Sequence, residues 1–108
     1  MALATELSQA ELKQLFERLA EQWHEETGMY SISRQKVSHP AYLRIIGLGR
    51  RTIPLIIHDM EVNGGWWFDA LEALTGENPA AGTDRSKPLE IQQAWFAWAA
   101  LQGIVPEK

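Results

Sequence analysis

Residues 47 to 76 read GLGRRTIPLIIHDMEVNGGWWFDALEALTG, and this stretch decides the fold. Pro54 sits just inside the start of one helical run, where its missing N–H costs nothing, and Asn63-Gly64-Gly65 breaks the chain after it. Ala70, Leu71, Ala73 and Leu74 then give a second helix an apolar face, and Gly76 closes it. Two helices joined by a three-residue turn make one antiparallel hairpin, so the expected class is all-α.

Working outward, Ser8-Gln9-Ala10-Glu11 spells a capping box, and Leu12, Leu15, Phe16, Leu19 and Trp23 recur behind it at helical spacing. A first helix is therefore expected over 8–28, ended by Gly28. Met29 to Val37 lacks a helical period and reads as an irregular connection, with Tyr30 and Ile32 as anchors. Ser38-His39-Pro40 opens a short helix through Ile46, capped by the serine, with Tyr42, Leu43 and Ile46 facing inward. The hairpin helices are expected over 51–62 and 66–75, and a polar loop with proline and glycine over 77–87. A closing helix over 88–103 carries Ile91, Ala94, Trp95, Trp98 and Leu101 on one face; Gly103 stops it, and Ile104 folds back on its last turn. The expectation is one domain, 1–108, a compact bundle of four to five short helices.

Gly49, Ile53, Pro54, Leu55 and Ile56, followed by Ala70, Leu71, Leu74, Thr75 and Gly76, resemble the HEAT-like repeats of bacterial proteins. There, a glycine-led helix with an Ile/Val-Pro-x-Leu/Ile turn precedes a helix ending in Ala-Leu-x-x-Leu/Ile-Thr-Gly. The tract from Gly76 to Trp98, with Trp95-x-x-Trp98, is similar to the segment that closes such arrays, so the resemblance spans about residues 40 to 101. It implies a helical hairpin and leaves function open, because these units serve as adaptors, scaffolds, lyase domains and nucleic-acid enzymes. An array needs about three stacked units, and the sequence holds one clear copy. The expected form is thus a single hairpin with flanking cap helices.

The 108 residues are 45% hydrophobic and 22% charged, an ordinary globular composition. With no cysteine there is no disulfide framework, thiolate metal site or thiol nucleophile. Residues 1 to 13 show no basic start followed by an apolar run, and no window approaches the ~18 apolar residues of a membrane span. The expected compartment is the cytoplasm. The net charge of −4 is unevenly laid out: Ser31 to His58 has no acidic residue, whereas Arg34, Lys36, Arg44, Arg50 and Arg51 fall within it.

Several residues carry a chemical reading beside a plainer one. His24-Glu25 begins like a zinc-protease motif, but Gly28 stands where the second histidine belongs, so His24 reads as a solvent-side neighbour of Trp23. His39, His58 and Asp59 are residue types that bind zinc or iron, and Ser38, His58 and Asp59 supply the members of a hydrolytic triad. No G-x-S-x-G elbow accompanies them, and neighbours on a helix point about 100° apart. Gly47-x-Gly49 before Arg50-Arg51 suits a turn better than a phosphate cradle. Arg44, Arg50 and Arg51, within the basic segment 34–51, form the alternative reading, a patch for nucleic-acid phosphates. Among the aromatics, Trp23, Trp67, Trp95 and Trp98 lie on apolar stripes and Trp66 at a core margin. Phe68 and Phe96 project from the more polar sides of their helices, so Trp66, Phe68 and Phe96 are the expected partner-binding surface. The resulting expectation is a non-catalytic, bacterial-type interaction module, an adaptor, inhibitor or antitoxin-like factor that needs no cofactor. Its partner is another protein or a second copy; a nucleic-acid factor and, more remotely, a metal-dependent enzyme are the alternatives.

Overall fold

The computed structural model describes residues 7–28 and 36–106. Its helices are α1 (Gln9–Thr27), α2 (Pro40–Gly47), α3 (Ile53–Asn63), α4 (Phe68–Thr75) and α5 (Pro88–Leu101), with a 3₁₀ turn over Arg50–Thr52 leading into α3. No strand occurs among the described residues, and the class is all-α. The Cα radius of gyration of 13.3 Å matches the about 13 Å of a chain this long packed round one core.

Local signals set most boundaries. The Glu11 amide donates to Ser8 Oγ at 3.1 Å and the Ser8 amide to Glu11 Oε1 at 3.0 Å, so the capping box is formed. The Ser8 amide and hydroxyl hold the Glu11 carboxyl below its ordinary value. Gly76 takes the left-handed conformation and its amide reaches the Glu72 carbonyl at 2.8 Å, closing α4. At the end of α5 the Gly103 and Ile104 amides return to the Ala100 and Ala99 carbonyls, and Ile104 packs against the core as expected.

Four local expectations are corrected. The cap of α2 is His39, whose Nδ1 accepts the Ala41 amide at 3.0 Å. An Nδ1 that accepts leaves the proton on Nε2, which donates to Glu26 Oε1 at 2.8 Å. On α2 the inward residues are Ala41, Tyr42 and Ile45, while Leu43 is 53% exposed and Ile46 half-buried. On α5 Ile91, Trp95, Trp98 and Ala99 are buried and Ala94 is half-buried, but Leu101 is 85% exposed. Both helices are rich in apolar residues on several faces, so periodicity leaves their rotation undetermined. Residues 36 and 37 are helical. Tyr30, Ile32 and Arg34, read as anchors and as part of the basic segment, lie outside the described residues.

The core joins all five helices. Leu71 and Trp95, expected to be inaccessible, are so, together with Leu12, Ile45, Ile56, Met60 and Trp67. Within the packing, α1 lies most extensively against α2, and α4 contacts α2 more than α3. Trp23, Tyr42 and Trp67 form the aromatic centre, with Trp67 4.5 Å from Trp23 and 5.6 Å from Tyr42. The Tyr42 hydroxyl donates to the Trp66 carbonyl at 2.9 Å and accepts the Ala70 amide at 2.8 Å. Helix α4 has no side-chain cap from its own N-cap residue Trp67. A tyrosine from α2 therefore satisfies one of its orphan amides. Burial drives this phenol well above its ordinary pKa, so it stays a neutral donor and acceptor.

Candidate functional site

Helices α1 and α3 stand apart along part of their length and leave an open groove of about 540 Å³. Phe16 and Ala20 of α1 and Leu55 of α3 give it apolar lining, and His58 and Asn63 line it from α3. From α1, Glu17, Glu21 and Glu25 also line it, one every four residues, which places them on one ridge about 6 Å apart. Among the described residues none of these three carboxylates has a hydrogen bond or ion pair. Like charges at this spacing repel by a few tenths of a kcal/mol per pair, so the ridge carries a small unrelieved cost.

One end of the groove is locked by a polar cluster. His24 Nε2 donates to Asp59 Oδ2 at 2.6 Å, the same oxygen accepts Trp67 Nε1 at 2.9 Å, and Oδ1 accepts Asn63 Nδ2 at 2.9 Å. Burial pushes the Asp59 carboxyl up, but the hydrogen bonds from His24 and Asn63, the charge of His24 and the Trp67 indole outweigh it and hold the group below its ordinary value. The carboxylate is thus a fixed acceptor tying α1, α3 and the start of α4 together. Gly65 completes the joint. At φ +100° it lies so near α1 that a Cβ would stand 3.0 Å from His24 Cε1 and 3.2 Å from the Trp23 ring. His24 is therefore a tertiary clasp as well as a neighbour of Trp23, and only the 35-residue jump to Asp59 conceals it in the sequence.

The other histidine constellations are dispersed. His39 is engaged by Ala41 and Glu26, away from Asp59, and the Asp59 carboxylate turns to His24, Trp67 and Asn63. No group of three metal-ligating side chains is assembled among the described residues.

The expected aromatic surface is altered. Phe68, expected to be exposed, is only 5% so, which corrects that expectation. Ala80 of the 79–85 turns and Ile91 and Trp95 of α5 lie on the same side of the molecule as Phe68, so its ring is covered by neighbours that the period of α4 alone does not represent. Trp66 is half-buried, packs edge-on to Phe68 at 4.8 Å and donates to Asp69 Oδ1, while the Arg85 guanidinium lies 5.0 Å over its ring. Phe96 is half-buried on α5.

The three arginines diverge. Arg50 donates to the Leu74 carbonyl at 2.9 Å, where a cation suits the C-terminal end of α4, and does not turn to the glutamates of α1. Arg51 runs the other way, to the Leu7 carbonyl at 2.9 Å and Gln9 Oε1 at 3.3 Å, and Arg44 is exposed on α2. Adjacent in sequence, Arg50 and Arg51 act as struts to two different helices, Arg50 to the end of α4 and Arg51 to the start of α1. No helix among the described residues is long and apolar enough to cross a membrane. No family model matches the chain, and searches of curated proteins and of solved structures find no match.

Proposed function

We propose that this chain is a non-catalytic protein-interaction module, a cytoplasmic accessory factor of the adaptor, inhibitor or antitoxin kind, whose α1–α3 groove holds a basic segment of another protein. The observation that carries the reading is the unpaired ridge of Glu17, Glu21 and Glu25 beside the apolar lining of Phe16, Ala20 and Leu55. A helix laid in such a groove presents Lys or Arg at one-turn spacing to the carboxylates and small apolar residues to the floor. Opposite charge then gives both register and a salt-dependent association rate. The HEAT-like resemblance of residues 49–76 belongs to the same proposal, with the hairpin as scaffold and α1 as the helix that turns it into a binding site.

The test is titration with amphipathic helical peptides that differ only in carrying Lys or Glu at one-turn spacing. The lysine peptide should bind more tightly at low salt and lose affinity as salt rises. Glu17→Gln, Glu21→Gln and Glu25→Gln together should abolish the preference without lowering stability, since the mutual repulsion disappears. Equal affinity for both peptides, or a preference that survives the triple substitution, overturns the reading.

A further inference from the structure

Helix α5 is apolar on the side that faces water as well as on the side that faces the core. From Ile91 to Val105 the sequence has no charged residue, in a chain where charged residues are 22% of the total. Ile91, Trp95, Trp98 and Ala99 account for the inward side. Outward, Leu89 is 73% and Leu101 85% exposed, Gln93 and Ala97 are exposed between them, and Val105 beyond the helix is 77% exposed. Helices apolar all round are ordinarily covered on all sides, and a surface stripped of charge is what the centre of an interface looks like.

We infer that this face pairs with the same face of a second copy, the two α5 helices crossing antiparallel about a twofold axis. Leu89, Gln93, Ala97 and Leu101 form one ridge at four-residue spacing. That ridge is symmetric about the level of Trp95. Antiparallel, it sets each Leu89 against the partner copy's outer leucine and each long Gln93 against a small alanine, so large meets small at the crossing. An isologous contact must be compatible with itself. For a chain of net charge −4, a face without charge is where two copies meet with no like charges opposed. A lipid surface is a poorer occupant, because interfacial helices flank their apolar face with Lys and Arg, whereas here Glu90 stands at the border. A 14-residue helix offers a strip about 21 Å long and about 10 Å wide, well short of the ~800 Å² per partner of a standard interface. The dimer is therefore weak and dissociates on dilution.

Sedimentation equilibrium of the full chain over a wide concentration range tests this. The unaltered protein should pass from monomer to dimer with a dissociation constant in the micromolar to millimolar range, and Leu101→Glu should weaken it by at least about tenfold. The melting temperature should not move, because that side chain is exposed. Combining Leu89→Lys with Leu101→Glu places opposite charges at both ends of an antiparallel pair and should recover the dimer. A protein that stays monomeric throughout, or a Leu101→Glu variant that dimerises like the parent, overturns the inference. A double variant as weak as Leu101→Glu alone overturns the antiparallel arrangement.

Discussion

The aromatic centre beneath the α3–α4 turn and the closing helix α5 are both built on tryptophan, but they hold their tryptophans differently. In the centre, polar tips are tied down: Trp23 Nε1 donates to the Lys36 carbonyl at 2.7 Å, Trp67 Nε1 to Asp59, and the Tyr42 hydroxyl to the turn preceding α4. In α5, Trp95 and Trp98 meet edge-to-face at 5.3 Å in a helix that carries no charge from Ile91 on, and the Trp98 indole donates to Glu77 Oε2 of the preceding loop at 2.9 Å, a bond that does not reach α1, α2 or α3. Hydrogen bonds are directional and burial is not. The first region therefore specifies one arrangement of α1, α2 and α4. The second is held largely by burial, and its outer face remains available for another surface.

Truncation at the centre should have the largest effect. Trp67→Ala removes a fully buried ring and the donor on Asp59, and should cost about 3–5 kcal/mol in denaturant unfolding. Phe68→Ser should be of similar size despite the expectation of an exposed side chain. A loss below about 1 kcal/mol would mean that the centre is no more tightly specified than α5.

Asp59→Ala should come next, at about 2–4 kcal/mol, because it leaves the Trp67 indole N–H buried without an acceptor and unlatches His24. Folding holds this carboxyl below its ordinary value, so the unfolded chain takes up the proton first as pH falls. Its contribution is complete above the ordinary carboxylate range and is lost as pH drops through the depressed folded value. Stability measured from neutral pH into acid should therefore fall less steeply in Asp59→Ala than in the parent. Parallel profiles would show that Asp59 does not couple folding to protonation.

The smallest effect sharpens the comparison at one turn. Gly64 and Gly65 both have positive φ, so alanine at either is strained by about 1 kcal/mol. A Cβ on Gly64 meets open space, while one on Gly65 meets Trp23 and His24. Gly65→Ala should be the more destabilising in thermal melts, and equal losses would show that the turn does not lock onto α1.

Much of the fold was legible locally. The Ser8–Glu11 box, Pro88 in the first turn of α5, and the glycine stops at Gly76 and Gly103 act within five residues of themselves, and the structure forms each of them. The candidate site was far less legible. Glu17, Glu21 and Glu25 read as a solvated helix face, and nothing local says that α3 stands across a groove from them. His39 displaced Ser38 as a cap because its ring also reaches Glu26 on α1. Phe68 was misplaced because its cover comes from α5, the 79–85 turns and Trp66, none of which the period of α4 contains.

By itself, then, the sequence determined the all-α class, the helices with their caps and stops, the apolar stripe of α1, and the charge-free run from Ile91 to Val105. These depend on backbone hydrogen bonding and side-chain period within a few turns, which neighbouring residues control. Only the tertiary structure decided which sides of α2 and α5 turn inward, that Tyr42 caps α4, that Arg50 braces the end of α4 and Arg51 the start of α1, and that His24 meets Asp59. Each of those depends on groups brought together across 24 to 44 residues of sequence or on the rotation of a helix with more than one apolar face. Such contacts are chosen by the sum of all packing in the core, which no short segment contains.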